Sequence, residues 1–189
     1  MSTPATTSQT VGPYFKIGLL HLYQQELAGA ETEGERITIQ GRVLDGEGNP
    51  VPDAILEIWQ ADAKGNYLLP ENGESSVGSG RFIGFGRIPT DATGSFCFST
   101  IRPGSVQAPD GSQQAPHIAV SLFMRGLLRR LVTRIYFSGD SMNDSDFILK
   151  RVDKDRRATL LATLVTNQEN ILEWNVNLQG VNETVFFDF

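Results

Sequence analysis

Short runs in which apolar and polar residues alternate, cut by turn residues, recur from residue 36 onward, and this period of two restricts the fold more than any other feature. Ile37, Ile39, Gly41 and Val43 alternate with Thr38, Gln40 and Arg42 before the turn Asp45-Gly46-Glu47-Gly48-Asn49-Pro50. A strand sends successive side chains to opposite faces, so each such run has one face to bury. Residues 54–60 are nearly continuous in apolar character, which predicts a strand buried on both faces, Trp59 included, with Glu57 paired or turned outward. Asp62-Ala63-Lys64-Gly65-Asn66-Tyr67 reads as a turn, followed by a polar loop rich in Gly and Ser to about residue 79. Further strands are expected at 82–89, 95–101, 116–125 and 128–137, and a final hairpin at 160–165 and 171–178, whose Leu172, Trp174, Val176 and Leu178 share a face. Helical patterns are weak, at 17–31 and 146–152. Many short strands with turn signals between them predict an all-β fold, a two-sheet β-sandwich with few short helices.

A chain of 189 residues, 40% hydrophobic, can bury one sizeable core. The expected organisation is an extended N-terminal arm and connecting segment over 1–35 and a sandwich over 36–189. The arm is rich in Thr, Ser and Pro, and its Tyr14 and Phe15 offer aromatic surface for docking on this chain or a partner. The ending Val185-Phe186-Phe187-Asp188-Phe189 is expected to pack on its own sandwich or on another subunit. A net charge of −6 argues against nucleic acid and anionic membrane surfaces. The close-set Arg129, Arg130 and Arg134 read as solvated or ion-paired positions. No apolar run is long enough to span a membrane and residues 1–10 do not resemble a signal peptide, so a cytoplasmic location is expected. Cys97, the single cysteine, excludes an internal disulfide and reads as a small core residue.

Chemistry-bearing residues are few. Two histidines, His21 and His117, exclude an all-His metal site, and no Ser-His-Asp constellation can be placed. Gly78-Ser79-Gly80 with Gly84 and Gly86 misses the dinucleotide spacing and has no helix after it. If Ile118, Val120 and Leu122 form one face of a strand, His117, Ala119, Ser121 and Phe123 form the other. Read alone, His117 is a hydrogen-bonded strand residue and Tyr67 a loop-anchoring aromatic.

Several segments together are more specific: Gly41-Arg42-Val43-Leu44-Asp45, Pro50-Val51-Pro52-Asp53-Ala54, the run from Leu56 to Tyr67, Phe85-Gly86-Arg87, Thr90-Asp91, Gly94-Ser95-Phe96, Thr100-Ile101-Arg102-Pro103-Gly104, His117-Ile118 and Tyr136-Phe137. This set resembles the intradiol ring-cleavage dioxygenases. Ser8-Gln9-Thr10-Val11-Gly12-Pro13-Tyr14 and the ending Glu183-Thr184-Val185-Phe186-Phe187-Asp188-Phe189 resemble its alpha-chain branch, whose members work with a beta subunit.

The resemblance implies a non-haem Fe(III) held by two tyrosines and two histidines of the beta chain. Matched position by position, Tyr67 falls on the first tyrosine and His117 on the first histidine. Val106 replaces the second tyrosine, Ala119 the second histidine, and Gln114 an arginine that helps stabilise the substrate. The pocket formed by Tyr67, Val106, Gln114, His117 and Ala119 is therefore expected to be vestigial, without metal or catalytic residues of its own. The same resemblance lays Thr10, Gly12, Pro13 and Tyr14 across the mouth of the partner's iron site and brings Arg125 to it. It implies an alpha subunit, inactive alone, completing a site that cleaves protocatechuate with O2 in a higher-order oligomer of alpha-beta protomers. The alternative is a metal-free β-sandwich used for binding or assembly, with no role in catalysis.

Overall fold

The computed structural model describes residues 5–68 and 82–188. Most of the polar loop expected after Tyr67, Gly78-Ser79-Gly80 and Phe189 lie outside the described residues. The fold is all-β. Its strands are β1 (Arg36–Leu44), β2 (Ile55–Gln60), β3 (Phe85–Pro89), β4 (Ser95–Ile101), β5 (Val106–Gln107), β6 (Gln113–Gln114), β7 (His117–Phe123), β8 (Leu131–Phe137), β9 (Leu161–Leu164), β10 (Ile171–Glu173) and β11 (Val176–Asn177). Two short α-helices, α1 (Tyr14–Gly18) and α2 (Phe147–Arg151), and 3-10 turns at Leu20–Leu22 and Lys154–Leu160 complete it.

One layer runs β3-β2-β7-β8, all antiparallel; in the other, β1 pairs antiparallel with β4 and parallel with β10 and β11. The two layers are not separate sheets. Leu161 and Ala162 at the start of β9 pair with Tyr136 and Phe137 of β8, while Thr163 and Leu164 at its end pair with β10, so β9 carries the hydrogen bonding from one layer to the other. Between the layers lie Leu56, Ile58, Ile88, Ile118, Val120, Leu122 and Ile135 from the first and Ile37, Ile39, Val43, Phe96, Phe98, Leu172, Trp174 and Val176 from the second. Each Leu, Ile or Phe buried in this way contributes about 1.5–3 kcal/mol. The alternation in 36–44, 117–123 and 171–178 thus selects the core face directly.

One turn device recurs. At Asp45, Asp62 and Asp91 the carboxylate Oδ1 accepts the backbone N–H groups two and four residues on, at 2.8–3.0 Å. The residue three on is Gly48, Gly65 or Gly94, at φ 81°, 84° and 70°, where a side chain would be strained.

Three details depart from expectation. Cys97 is exposed, because β4 buries Phe96 and Phe98 on one face and turns Cys97 to the other. Trp59 is 36% exposed, since its face of β2 looks away from the main core, where Glu57 forms an ion pair with Arg87 directly opposite. The helical pattern at 17–31 yields only α1 and the turn after it. Gln24, Glu26 and Ala28 instead run extended and bridge to Arg87, Ser99 and Phe82, which buries Leu27 completely. The tail packs on its own chain: Phe187 donates its N–H to Val132 O at 2.7 Å, and Thr133 Oγ1 donates to Val185 O at 2.7 Å.

Candidate functional site

The candidate pocket lies on the face of β2, β7 and β8 opposite the main core. Tyr67 reaches it from the turn that starts at Asp62. That turn docks on the strand leading to β5 through two glycines: a Cβ on Gly65 would stand 1.9 Å from Ser105 O, and one on Gly104 would stand 2.5 Å from Ala63 O. Gly104 N–H donates to Asp62 O at 2.8 Å. Just upstream, buried Gln60 accepts from Thr100 Oγ1 and donates to Ile101 O, tying the end of β2 to β4. This backbone approach joins the turn that carries Tyr67 to the segment that leads to Val106, and Trp59 stacks on the Tyr67 ring at 6.2 Å.

His117 opens β7 and is 2% exposed. Its Nδ1 donates to Ala115 O at 2.8 Å, which leaves Nε2 as an acceptor, and the Tyr67 hydroxyl faces Nε2 at 3.5 Å. Burial, aided by the Arg134 charge, pulls His117 down to about 4, so the ring is neutral at pH 7. Burial pushes the Tyr67 phenol up, against a smaller opposite pull from Arg134. Asp146, fully buried, accepts from Ala115 N, Leu149 N and Tyr136 Oη at 2.8–3.1 Å, capping α2 and fixing the backbone that orients His117. Burial raises the Tyr136 phenol far above its usual value.

Ala119 sits opposite Arg134 of β8, and Val106 opposite Gln114 in the β5-β6 hairpin. Arg134 Nη1 donates to Gln114 Oε1 at 2.8 Å and to Tyr136 Oη at 3.4 Å. The pocket is therefore a phenol, a neutral imidazole, an amide and a guanidinium, with apolar positions at Val106 and Ala119.

The other expected site residues gather elsewhere. The arm crosses the far end of β7: Thr10 Oγ1 accepts Gly126 N–H at 2.7 Å, Phe15 packs on Phe123 at 5.4 Å, and Lys16 Nζ donates to Pro52 O and Thr90 O. Gly12 and Pro13 lead into α1, which leaves Tyr14 82% exposed. Arg125 is exposed, with its Nε on Asp53 Oδ2. From His117 to Phe123 the strand covers about 20 Å at ~3.3 Å per residue, so the structure separates Tyr14 and Arg125 from this chain's own pocket.

The dioxygenase family model matches residues 11–180. The chain is 39% identical over 197 residues to the protocatechuate 3,4-dioxygenase alpha chain of Burkholderia cepacia, covering 97% of this chain and 96% of that one. The chain belongs to the intradiol dioxygenase family. It is also 35% identical to the protocatechuate 3,4-dioxygenase beta chain of Burkholderia cepacia, over 86% of this chain and 72% of that one. Among solved structures, the dioxygenase domain of a dioxygenase carbohydrate-binding protein fusion from Streptomyces sp. SirexAA-E matches with TM-score 0.64 and 25% identity, covering 86% of this chain and 89% of that one.

Intradiol dioxygenases use non-haem ferric iron, and the residues of this pocket do not fit it. The two donors, Tyr67 and His117, face each other, Val106 and Ala119 have no donor atom, and Arg134 adds positive charge. Sequence reasoning missed Arg134 and Asp146. Arg134 is close in sequence to Arg129 and Arg130, but its place two residues before Tyr136 in β8 sets it on the pocket face. Asp146 carries no signal beyond opening the short helical pattern at 146–152, which the structure shows it caps.

Proposed function

We propose that the chain is the non-metal alpha subunit of a protocatechuate 3,4-dioxygenase, completing the Fe(III) site of a partner beta chain. The observation that carries this reading is the placement of Tyr14 and Arg125 on exposed surface at the far end of β7, away from the chain's own pocket. Groups built to serve a site would not be set there if the site were their own. Asp53 holds Arg125 through Nε alone, and among the described residues the two terminal nitrogens make no hydrogen bond, which leaves a fork for a substrate carboxylate. Tyr14 supplies a ring that narrows the mouth and excludes water, with Thr10, Gly12 and Pro13 fixing its approach. Ile17, Leu20 and Leu22, at 58%, 61% and 45% exposure, form with Tyr14 an apolar patch suited to a partner chain. The partner's ferric iron supplies the chemistry of catechol and O2 that ends in 3-carboxy-cis,cis-muconate.

The test is expression alone and with an iron-bearing beta chain. The reading expects copurification, with ring cleavage by the complex and neither stoichiometric iron nor cleavage in the chain alone. Arg125→Ala in the complex should lower kcat/KM for protocatechuate by on the order of ten- to a hundred-fold, and for plain catechol much less. Equal losses would remove the selecting role of Arg125, and failure to copurify would favour the assembly module without catalysis.

A further inference from the structure

An exposed arginine left to itself samples many rotamers, so the aim of Arg125 has to be set by its surroundings. The sheet supplies the partner. β2 and β7 pair with Ile55 opposite Phe123, and the same register carried two residues on sets Asp53 opposite Arg125. The Asp53 side chain is 19% exposed against 60% for Arg125, so the carboxylate is the fixed member of the pair. The turn that presents Asp53 is fastened from two sides. Buried Thr90 donates its Oγ1 to Val51 O at 2.8 Å and accepts Ala54 N–H there at 3.0 Å. Lys16 Nζ donates to Pro52 O at 2.6 Å and to Thr90 O at 2.7 Å, while the Tyr23 hydroxyl donates to Lys16 O at 2.7 Å. Phe15 packs on Phe123, whose cross-strand neighbour Ile55 is fully buried. With Thr10 on Gly126, the arm meets both the residue before Asp53 and the residue after Arg125.

We propose that Asp53 and Lys16 are positioning residues for Arg125: Lys16 clamps the turn before β2, the turn presents Asp53, and Asp53 sets the guanidinium with its terminal nitrogens outward before substrate arrives. This rests on the reading that Arg125 serves a substrate carboxylate at the partner's site. On charge alone Asp53 is a cost, because a carboxylate beside the fork repels an anionic substrate. What it contributes is order. A side chain already held loses less freedom on binding, and for an arginine that freedom corresponds to about ten-fold in affinity. The arm then serves selection twice, through the Tyr14 ring at the mouth and through the seat of Arg125 behind it.

Two measurements on Asp53→Asn, Asp53→Ala and Lys16→Met test this, with circular dichroism to check the fold. In the full chain alone, nitrogen-edited NMR reads exchange of the Arg125 Nε–H with water, assigned by its loss in Arg125→Lys. Exchange should be slow in the unchanged chain and in Asp53→Asn, whose amide oxygen still accepts the bond. It should be about five-fold faster or more in Asp53→Ala and Lys16→Met. In the complex with the beta chain, calorimetry gives the affinities of 4-hydroxybenzoate and phenol, beside KM and kcat for protocatechuate and catechol. Asp53→Ala and Lys16→Met should weaken 4-hydroxybenzoate and raise KM for protocatechuate by about ten-fold, with kcat within about two-fold. Phenol and catechol should shift far less, and Asp53→Asn should keep most of the selectivity. Equal or tighter binding of 4-hydroxybenzoate by Asp53→Ala, the result that charge alone predicts, would overturn the proposal. So would Nε–H exchange that Lys16→Met leaves unchanged, or equal losses of selectivity in Asp53→Asn and Asp53→Ala. Pairing with a beta chain is judged by copurification, whereas the NMR needs no partner, so the two readings fail separately.

Discussion

At the residue scale, His117 is governed by its burial and its bond to Ala115 O. Burial holds it near 4, against 6.5 for a free imidazole. Between those values the unfolded chain binds more protons than the folded one, so its contribution to stability is complete above pH 6.5 and is lost as pH falls toward 4. From this group alone we expect unfolding free energy to be about 2 kcal/mol lower at pH 5 than at pH 8. Urea melts at both values check this, and His117→Gln should remove that part of the difference. Gly104 is a second point of leverage. Its missing Cβ lets the turn at Asp62 approach the chain before Val106, and Gly104→Ala should lower stability by about 2 kcal/mol or more, read as a shift in urea midpoint at unchanged slope. The family motif containing Pro103-Gly104 was legible in the sequence, but its reason, a backbone-to-backbone contact some forty positions from Gly65 in the chain, was not.

At the scale of elements, the arm and α2 are held by unlike means. The arm has no buried residue in α1 and is tied by Thr10, Phe15 and Lys16, with Tyr23 Oη donating to Lys16 O. Phe15→Ala should therefore change global stability by under about 1 kcal/mol while speeding limited proteolysis near residues 10–16. The α2 cap is different, because Asp146 also orders the backbone beside His117. Asp146→Asn leaves one of its three accepted bonds without a proper partner in a fully buried site, and we expect a loss of about 2–4 kcal/mol, measured by thermal or urea unfolding. Strands were read more closely than helices for a physical reason. Alternation in β1 and β7 reports which face is buried, whereas the apolar residues at 17–31 serve two purposes at once: Leu27 is drawn into the core by strand bridges, and Ile17 and Leu20 stay outside. No single period describes that segment.

For the whole molecule, Tyr14, Ile17, Leu20 and Leu22 are four exposed large apolar residues within one nine-residue stretch of the arm. Under the proposed pairing, amide hydrogen exchange across residues 14–22 should slow by at least about ten-fold when the beta chain is added, while β4, on the other layer, changes little. Uniform exchange at 14–22 with and without the partner would count against this interface. Among the described residues no helix is long and apolar enough to cross a membrane. The sequence by itself determined the all-β class, the core faces of β1, β7 and the last hairpin, and family membership, because period-two burial and local turn chemistry are written in neighbouring residues. Only the tertiary structure decided that β9 joins the two layers, that Tyr14 and Arg125 lie about a strand's length from the chain's own pocket, and that Arg134, not a solvated surface arginine, bonds Gln114 and Tyr136 across from Ala119. Each of those depends on which strands lie side by side and in what register, and cross-strand neighbours such as Ala119 and Arg134 meet only once the sheet has formed.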